Sequence, residues 1–161
     1  MGVRMSETKQ LRELLARQLD WEAAHVGYRR AVADFPSELR GVVPDGLAHS
    51  GWQMAEHIRL AQADILDFCV NPDYVARAWP EGYWPAVAPR DEAEWDASVE
   101  GYQSDLHALR QLALDENADL FAAIPWGDSQ TRLRELLLVA DHAAYHVGQL
   151  VALRRALGCW R

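Results

Sequence analysis

Four long stretches of this chain repeat their apolar residues at helical spacing, and no stretch alternates apolar and polar residues as a half-buried strand would. The first is predicted from about Ser6 to Asp34, with an inward seam of Leu11, Leu14, Gln18, Trp21, His25, Tyr28 and Val32 and a stop at Phe35-Pro36. The second opens at Ser50, because Ser50 and Gln53 have the spacing of a reciprocal capping box. It closes before Asn71-Pro72, since proline disfavours helical geometry in the residue before it. The third starts after Pro89, where Asp91, Glu92 and Glu94 complement the positive end of a helix dipole, and its seam is Trp95, Tyr102, Leu106, Leu109 and Ala113. The fourth runs from about Ser129 to Leu157, with Asp128 as cap and Gly158 as stop. Helices with one apolar stripe each bury those stripes against one another. The expected fold is therefore all-α, a four-helix bundle with long inter-helix loops, and residues 1–161 form one domain.

The longest connection, from Pro72 to Arg90, holds Tyr74, Trp79, Tyr83 and Trp84 among four prolines. A loop of that length is often the lid or wall of a site, and the alternative is that its aromatics plug one end of the bundle.

Charge and cysteine usage narrow the function classes. The formal charge of −8, from 16 Lys+Arg against 24 Asp+Glu with no basic block, argues against a nucleic-acid binder, whose affinity comes from phosphate neutralisation. The longest uninterrupted apolar run, Leu136 to Ala140, is too short to span a membrane. Cys69 and Cys159 make no disulfide framework, and with no signal peptide visible the expected compartment is the cytoplasm. Met1 to Ser6 fits the loose myristoylation pattern M-G-x-x-x-[ST], but it lacks the second signal that stable anchoring needs and reads as a frayed terminus.

The six histidines are the most informative chemistry. His142 and His146 lie four apart on the last helix, so their rings leave one face one turn apart. Their seam reads Glu135, Val139, His142, His146, Gln149, Leu153, Leu157, which faces the interior. On the second helix the seam Ser50, Met54, His57, Ala61, Asp64, Phe68 also carries a histidine inward. Imidazoles in an apolar interior need partners. A divalent metal satisfies several together, and three neutral histidines leave positions open for water or substrate, the pattern of a catalytic rather than a structural site. The other reading of H-x-x-x-H is two hydrogen-bonded histidines lining a cleft. A zincin is excluded, because Ala143 stands where its glutamate would be.

Two segments carry a family resemblance. Asp141-His142-Ala143-Ala144-Tyr145-His146-Val147-Gly148-Gln149-Leu150 closely resembles the last-helix signature of the DinB/YfiT-like superfamily, and Trp52-Gln53-Met54-Ala55-Glu56-His57-Ile58-Arg59 looks like its second-helix signature. The order and rough lengths of the four segments fit too. The resemblance implies a four-helix bundle that binds a divalent metal, zinc or nickel with iron also suitable, through His57, His142 and His146.

Several residues near that triad keep two readings. His25 is a fourth ligand, a supporting partner, or an interior histidine satisfied by a carbonyl or by Asp64. Asp64 and Gln149 orient imidazoles or a bound water, or are ordinary polar packing near the bundle ends. His107 falls off the third helix's seam and is expected in solvent, and His49 is expected at the surface or in a cap. Arg154 and Arg155 bind an anionic substrate or complement the helix C-terminus. Neither cysteine shares the register of the triad, so no nucleophile is assigned.

The functional expectation is a metal-dependent enzyme acting on a small molecule, by hydrolysis or by thiol transfer. Members of the resembled family use low-molecular-weight thiols such as bacillithiol and mycothiol, which favours the second. The alternative is a non-enzymatic metal-binding stress-response protein. A homodimer is expected from the same resemblance, with weak support from seven tryptophans, a residue enriched at interfaces.

Overall fold

The structure, a computed structural model, describes residues 7–20 and 22–160. It is all-helical, with five α-helices: α1 Glu7–Gln18, α2 Tyr28–Val32, α3 Gly51–Val70, α4 Glu92–Leu114 and α5 Arg132–Ala156. Among the described residues there is no strand beyond one isolated bridge between Ala123 and Thr131. α3 is the centre of the assembly, packed against both α4 and α5, while α1 lies on α4 and α2 on α5.

The second and third expected helices form as their sequences dictate. Ser50 Oγ accepts from Gln53 N–H while Gln53 Oε1 accepts from Ser50 N–H, so the capping box is complete. Gly51 is required behind it, because a Cβ there would sit 2.3 Å from the Phe35 ring. Asp91 caps α4 by accepting from Glu94 N–H, and Trp95, Tyr102, Leu106, Leu109 and Ala113 are all buried. A buried carboxylate locks these two helices together: Glu56 on α3 accepts from Ser98 of α4 at 2.6 Å and from Arg59 Nε at 2.7 Å.

The first expected helix is corrected. It does not run to Asp34: α1 ends at Gln18, residues 19–27 are irregular apart from the undescribed Trp21, and α2 resumes for five residues. Tertiary docking overrides local periodicity here. Tyr28 stacks on Tyr102 of α4 at 3.8 Å, and Gly27, whose N–H donates to Glu22, gives α2 a fresh start. The buried stripe of α1 is also shifted, to Leu15, Ala16 and Leu19, leaving Leu14 51% exposed. Arg12 is buried beside that stripe and donates to the carbonyls of Ala113, in the last turn of α4, and of Ala118 just beyond it. Trp21 and the Met1–Ser6 segment with its myristoylation-like pattern lie outside the described residues.

α5 begins three residues later than its expected cap. Thr131 Oγ1, not Asp128, accepts from the backbone N–H three residues on, because the Ala123–Thr131 bridge and the bond from Ile124 N–H to the Gln130 carbonyl set that register. Its stop is Gly158, at φ +71, with Gly158 N–H bonded to the Arg155 carbonyl and Cys159 N–H to that of Arg154. Although its longest apolar run is short, α5 as a whole is long and apolar enough to cross a membrane by length and composition. Core helices of folded domains meet the same test; in α5 a third of the apolar window, 33%, is buried, and Leu136, Val139, Val147, Leu150 and Leu153 lie in the shared core.

Arg154 neither faces solvent nor acts merely through the helix dipole. Its guanidinium donates to the carbonyls of Ala31 and Ala33, both at 2.8 Å, of Asp34 at 3.2 Å and of Cys159 at 2.9 Å, tying α2 and the C-terminal tail to α5. It also stacks on Phe35 and Trp160. Removing it strands the buried Ala31 carbonyl, at a cost of roughly 1–3 kcal/mol, and loses three part-buried bonds and the ring contacts besides. Arg154→Met is expected to destabilise the fold by about 3 kcal/mol or more in urea unfolding. Arg155→Ala, one residue on and exposed, should change stability by less than about 0.5 kcal/mol.

Candidate metal centre

His57 sits mid-α3 and is buried, while His142 and His146 sit one turn apart on α5 and are half-buried. Because α3 and α5 pack together, the three rings meet across that seam. His57 Nε2 lies 3.1 Å from His142 Nε2 and 3.3 Å from His146 Nε2. Among the described residues these three are the group of His, Cys, Asp and Glu side chains close enough to share an ion.

The tautomers follow from what each ring's other nitrogen touches. His57 Nδ1 is 3.1 Å from the Tyr83 carbonyl, which only accepts, so Nδ1 carries the proton and Nε2 carries the lone pair. His146 Nδ1 is 2.7 Å from Gln149 Oε1, and with the amide so oriented, its nitrogen donating to the Tyr145 hydroxyl, His146 donates through Nδ1 and keeps its lone pair on Nε2. With both Nδ1 atoms donating, the His57 and His146 lone pairs face each other, and His142 Nε2, 3.1 Å from His57 Nε2, is placed either to donate its own proton there or to share an ion. Burial pushes His142 down to about 4, helped by His146 and His57, and burial also lowers His57 and His146. The donor set fits a divalent ion: nitrogens 2.0–2.1 Å from a tetrahedral centre are about 3.3–3.4 Å apart.

The Pro72–Arg90 connection is the wall of this site and does not plug a bundle end. It runs antiparallel along α3, with the Val87 carbonyl on Ser50 Oγ, the Pro85 carbonyl on the Gln53 amide and the Tyr83 carbonyl on His57. Trp84 lies flat on His57, ring planes 1° apart at 4.0 Å. Its other face is stacked by His49 at 3.8 Å, so His49 is a site residue that sequence reading assigned to the surface or a cap. The ring-on-ring contact comes from irregular backbone, and no periodic signal could have revealed it.

The other candidates separate clearly. Gln149 touches the triad directly through His146. Asp64 does not; it accepts from the Tyr74 and Tyr83 hydroxyls. His25 is exposed, bonded to the neighbouring Val26 carbonyl, and stands outside the triad, and His107 is exposed as expected. A cavity of about 550 Å³ lies away from the triad, bordered by Arg30, Asp34, Cys159 and Trp160.

Compared with family models, curated proteins and solved structures, the chain finds no match.

These neutral histidines make the metal-free protein acid-sensitive. In the unfolded chain they protonate near the ordinary 6.5, whereas in the fold His142 resists down to about 4. Between those values the unfolded state binds more protons, so stability falls as pH drops. The melting temperature of chelator-treated protein is expected to decline from pH 6.5 towards 4, and His142→Leu should flatten part of that slope. A slope identical in the two proteins would show that His142 is not held neutral.

Proposed function

We propose that this chain is a DinB/YfiT-like four-helix-bundle protein that holds one divalent metal ion, zinc or nickel with iron also suitable, on His57, His142 and His146. The observation that carries the reading is the pair of unprotonated Nε2 atoms facing each other at 3.3 Å, with a third imidazole nitrogen 3.1 Å from one of them. The family reading is supported by the matching segments around His57 and His142–His146 and by the order of the long helices α3, α4 and α5. In this reading α1 and α2 together stand for the family's first helix.

A divalent ion on three neutral imidazoles keeps its full charge and lowers the pKa of a water or thiol brought to it, which is the chemistry of hydrolysis or thiol transfer. The chain's own residues do the rest. Tyr83 and Gln149 hold the protons of His57 and His146 on Nδ1, and Trp84 shields one face of His57 from water. We read the protein as an enzyme on a small-molecule substrate, with a low-molecular-weight thiol as the favoured co-substrate by family resemblance. A non-enzymatic binding role would call for further protein ligands, and His25, the candidate fourth, stands apart. A cytoplasmic homodimer completes the proposal.

Purified protein is expected to take up one zinc or nickel per chain in elemental analysis. His57→Ala, His142→Ala or His146→Ala should each weaken binding by about 100-fold or more, since changes to residues that merely support such ligands already cost 10–100-fold. His107→Ala should bind as wild type. Saturating ion at about 100 times its Kd should stabilise the fold by about 2.7 kcal/mol. Loaded protein should then consume a low-molecular-weight thiol in the presence of an alkyl electrophile faster than chelated protein does. Absence of metal uptake would sink the whole reading; uptake without turnover of thiols or esters would leave the binding role alone.

A further inference from the structure

The irregular connection beside the triad is gathered onto one carboxylate. Asp64 lies on α3 two turns beyond His57, its side chain 13% exposed. Its Oδ2 accepts from the Tyr83 hydroxyl at 2.8 Å, both its oxygens lie 3.2 Å from the Tyr74 hydroxyl, and Arg77 Nε stands 4.0 Å away. Three residues of one connection thus converge on a single acidic group that touches no histidine. Burial and the adjacent Asp64 charge push the Tyr74 phenol up to about 12 and raise Tyr83 as well, so both remain proton donors.

Tyr83 is held at both ends. Its phenol is on Asp64 and its backbone carbonyl is on His57 Nδ1, so one residue bridges about 10 Å of α3. On the C-terminal side of Tyr83 the connection is anchored by Gln53 and Ser50 through the Pro85 and Val87 carbonyls. On the N-terminal side the anchor is Asp64. Without it the carbonyl opposite His57 is restrained from one side only. That matters because the proton of a neutral imidazole goes to whichever nitrogen finds an acceptor. A proton on Nε2 would occupy the atom that has to face His142 and His146.

We propose that Asp64 is a positioning residue: by clamping the Tyr83 and Tyr74 hydroxyls it fixes the Tyr83 carbonyl, and so keeps the His57 proton on Nδ1 and the Nε2 lone pair directed into the triad. The consequence for metal affinity rests on the proposed metal function, but the tautomer belongs to the chain itself and is read without metal.

The test is two-bond 1H–15N correlation on the metal-free full chain with 15N-labelled histidine, at pH 7.5, with zinc affinity measured separately. Wild type should show His57 protonated on Nδ1. Tyr83→Phe removes only a hydroxyl, and it should shift His57 towards a mixture of tautomers and weaken zinc binding about 10–100-fold. Asp64→Ala should do the same, and Asp64→Asn, which keeps an acceptor oxygen, should recover most of the loss. Asp67→Ala, on the exposed side of α3, should change neither readout. If Tyr83→Phe folds, by far-UV circular dichroism, and keeps His57 fully on Nδ1, the proposal is overturned, whatever Asp64→Ala does. Weakened zinc binding with an unchanged tautomer overturns it too, since a merely structural role would look like that. A wild type that binds no zinc would sink the metal reading while the tautomer shifts still decide this one.

Discussion

The Nε2 lone pairs of His57 and His146 face each other at 3.3 Å across the α3–α5 seam, and the groups behind them, the Tyr83 carbonyl and the Gln149 amide oxygen, each claim the proton that could have relieved the repulsion. His57 cannot exchange tautomers against that carbonyl, burial opposes charging any of the three rings, and His142 Nε2 stands 3.1 Å from His57 Nε2 as the neighbouring nitrogen. The Tyr83 carbonyl and the Gln149 amide keep that arrangement, which leaves imidazole nitrogens directed at one another and able to receive a divalent cation.

α3 supplies the frame for this, and its faces divide the labour. One face carries Glu56 and Gln62 to α4, where Ser98 donates to Glu56 and the Tyr102 carbonyl accepts from Gln62, with Arg59 bracing Glu56 from α3 itself. Another carries Ser50, Gln53, His57 and Asp64, which bond in order along the antiparallel connection. A connection held at four points along one helix behaves as a strap, and its backbone carbonyls become as well placed as side chains. That is how an irregular segment of about twenty residues can set the tautomer of a histidine it does not belong to.

Much of this was legible in the sequence where local chemistry and tertiary packing agree. Ser50 with Gln53 and Gly158 as a stop are signals whose partners lie within a few residues, and the structure places both as expected; Asp91, expected only to complement the dipole, also caps α4. Helical register made His57, His142 and His146 legible as inward-facing, while their grouping as one ligand set came from the family resemblance. The failures share one cause. Helical spacing continues from Gln18 through His25 to Tyr28, yet the chain leaves the helix there so that Tyr28 can stack on Tyr102 and α2 can dock on α5. Asp128 and Thr131 are both good caps three residues apart, and only the non-local bridge to Ala123 chooses between them. His49 and the Tyr83 carbonyl act from segments without periodicity, so nothing in the order of residues announces them.

The distribution of the apolar core bears on how tightly an ion could be held. In small metal-dependent folds the ligands come from segments that have no other reason to meet, so much of the binding energy is used in folding the chain. Here the two ligand-bearing helices share a core of Ile58, Leu136, Val139, Leu150 and Leu153 that is buried without any ion, and Arg154 and Glu56 lock the neighbouring elements in place. The His142 and His146 nitrogens are thus brought to within about 3.3 Å of His57 Nε2 by packing energy before an ion arrives. A site assembled in advance loses little to ordering when it binds, so affinity is set by the imidazoles and by whatever fixes their orientation. The weight of control then shifts from the ligands, carried on two long packed helices, to the strap that holds the Tyr83 carbonyl against His57.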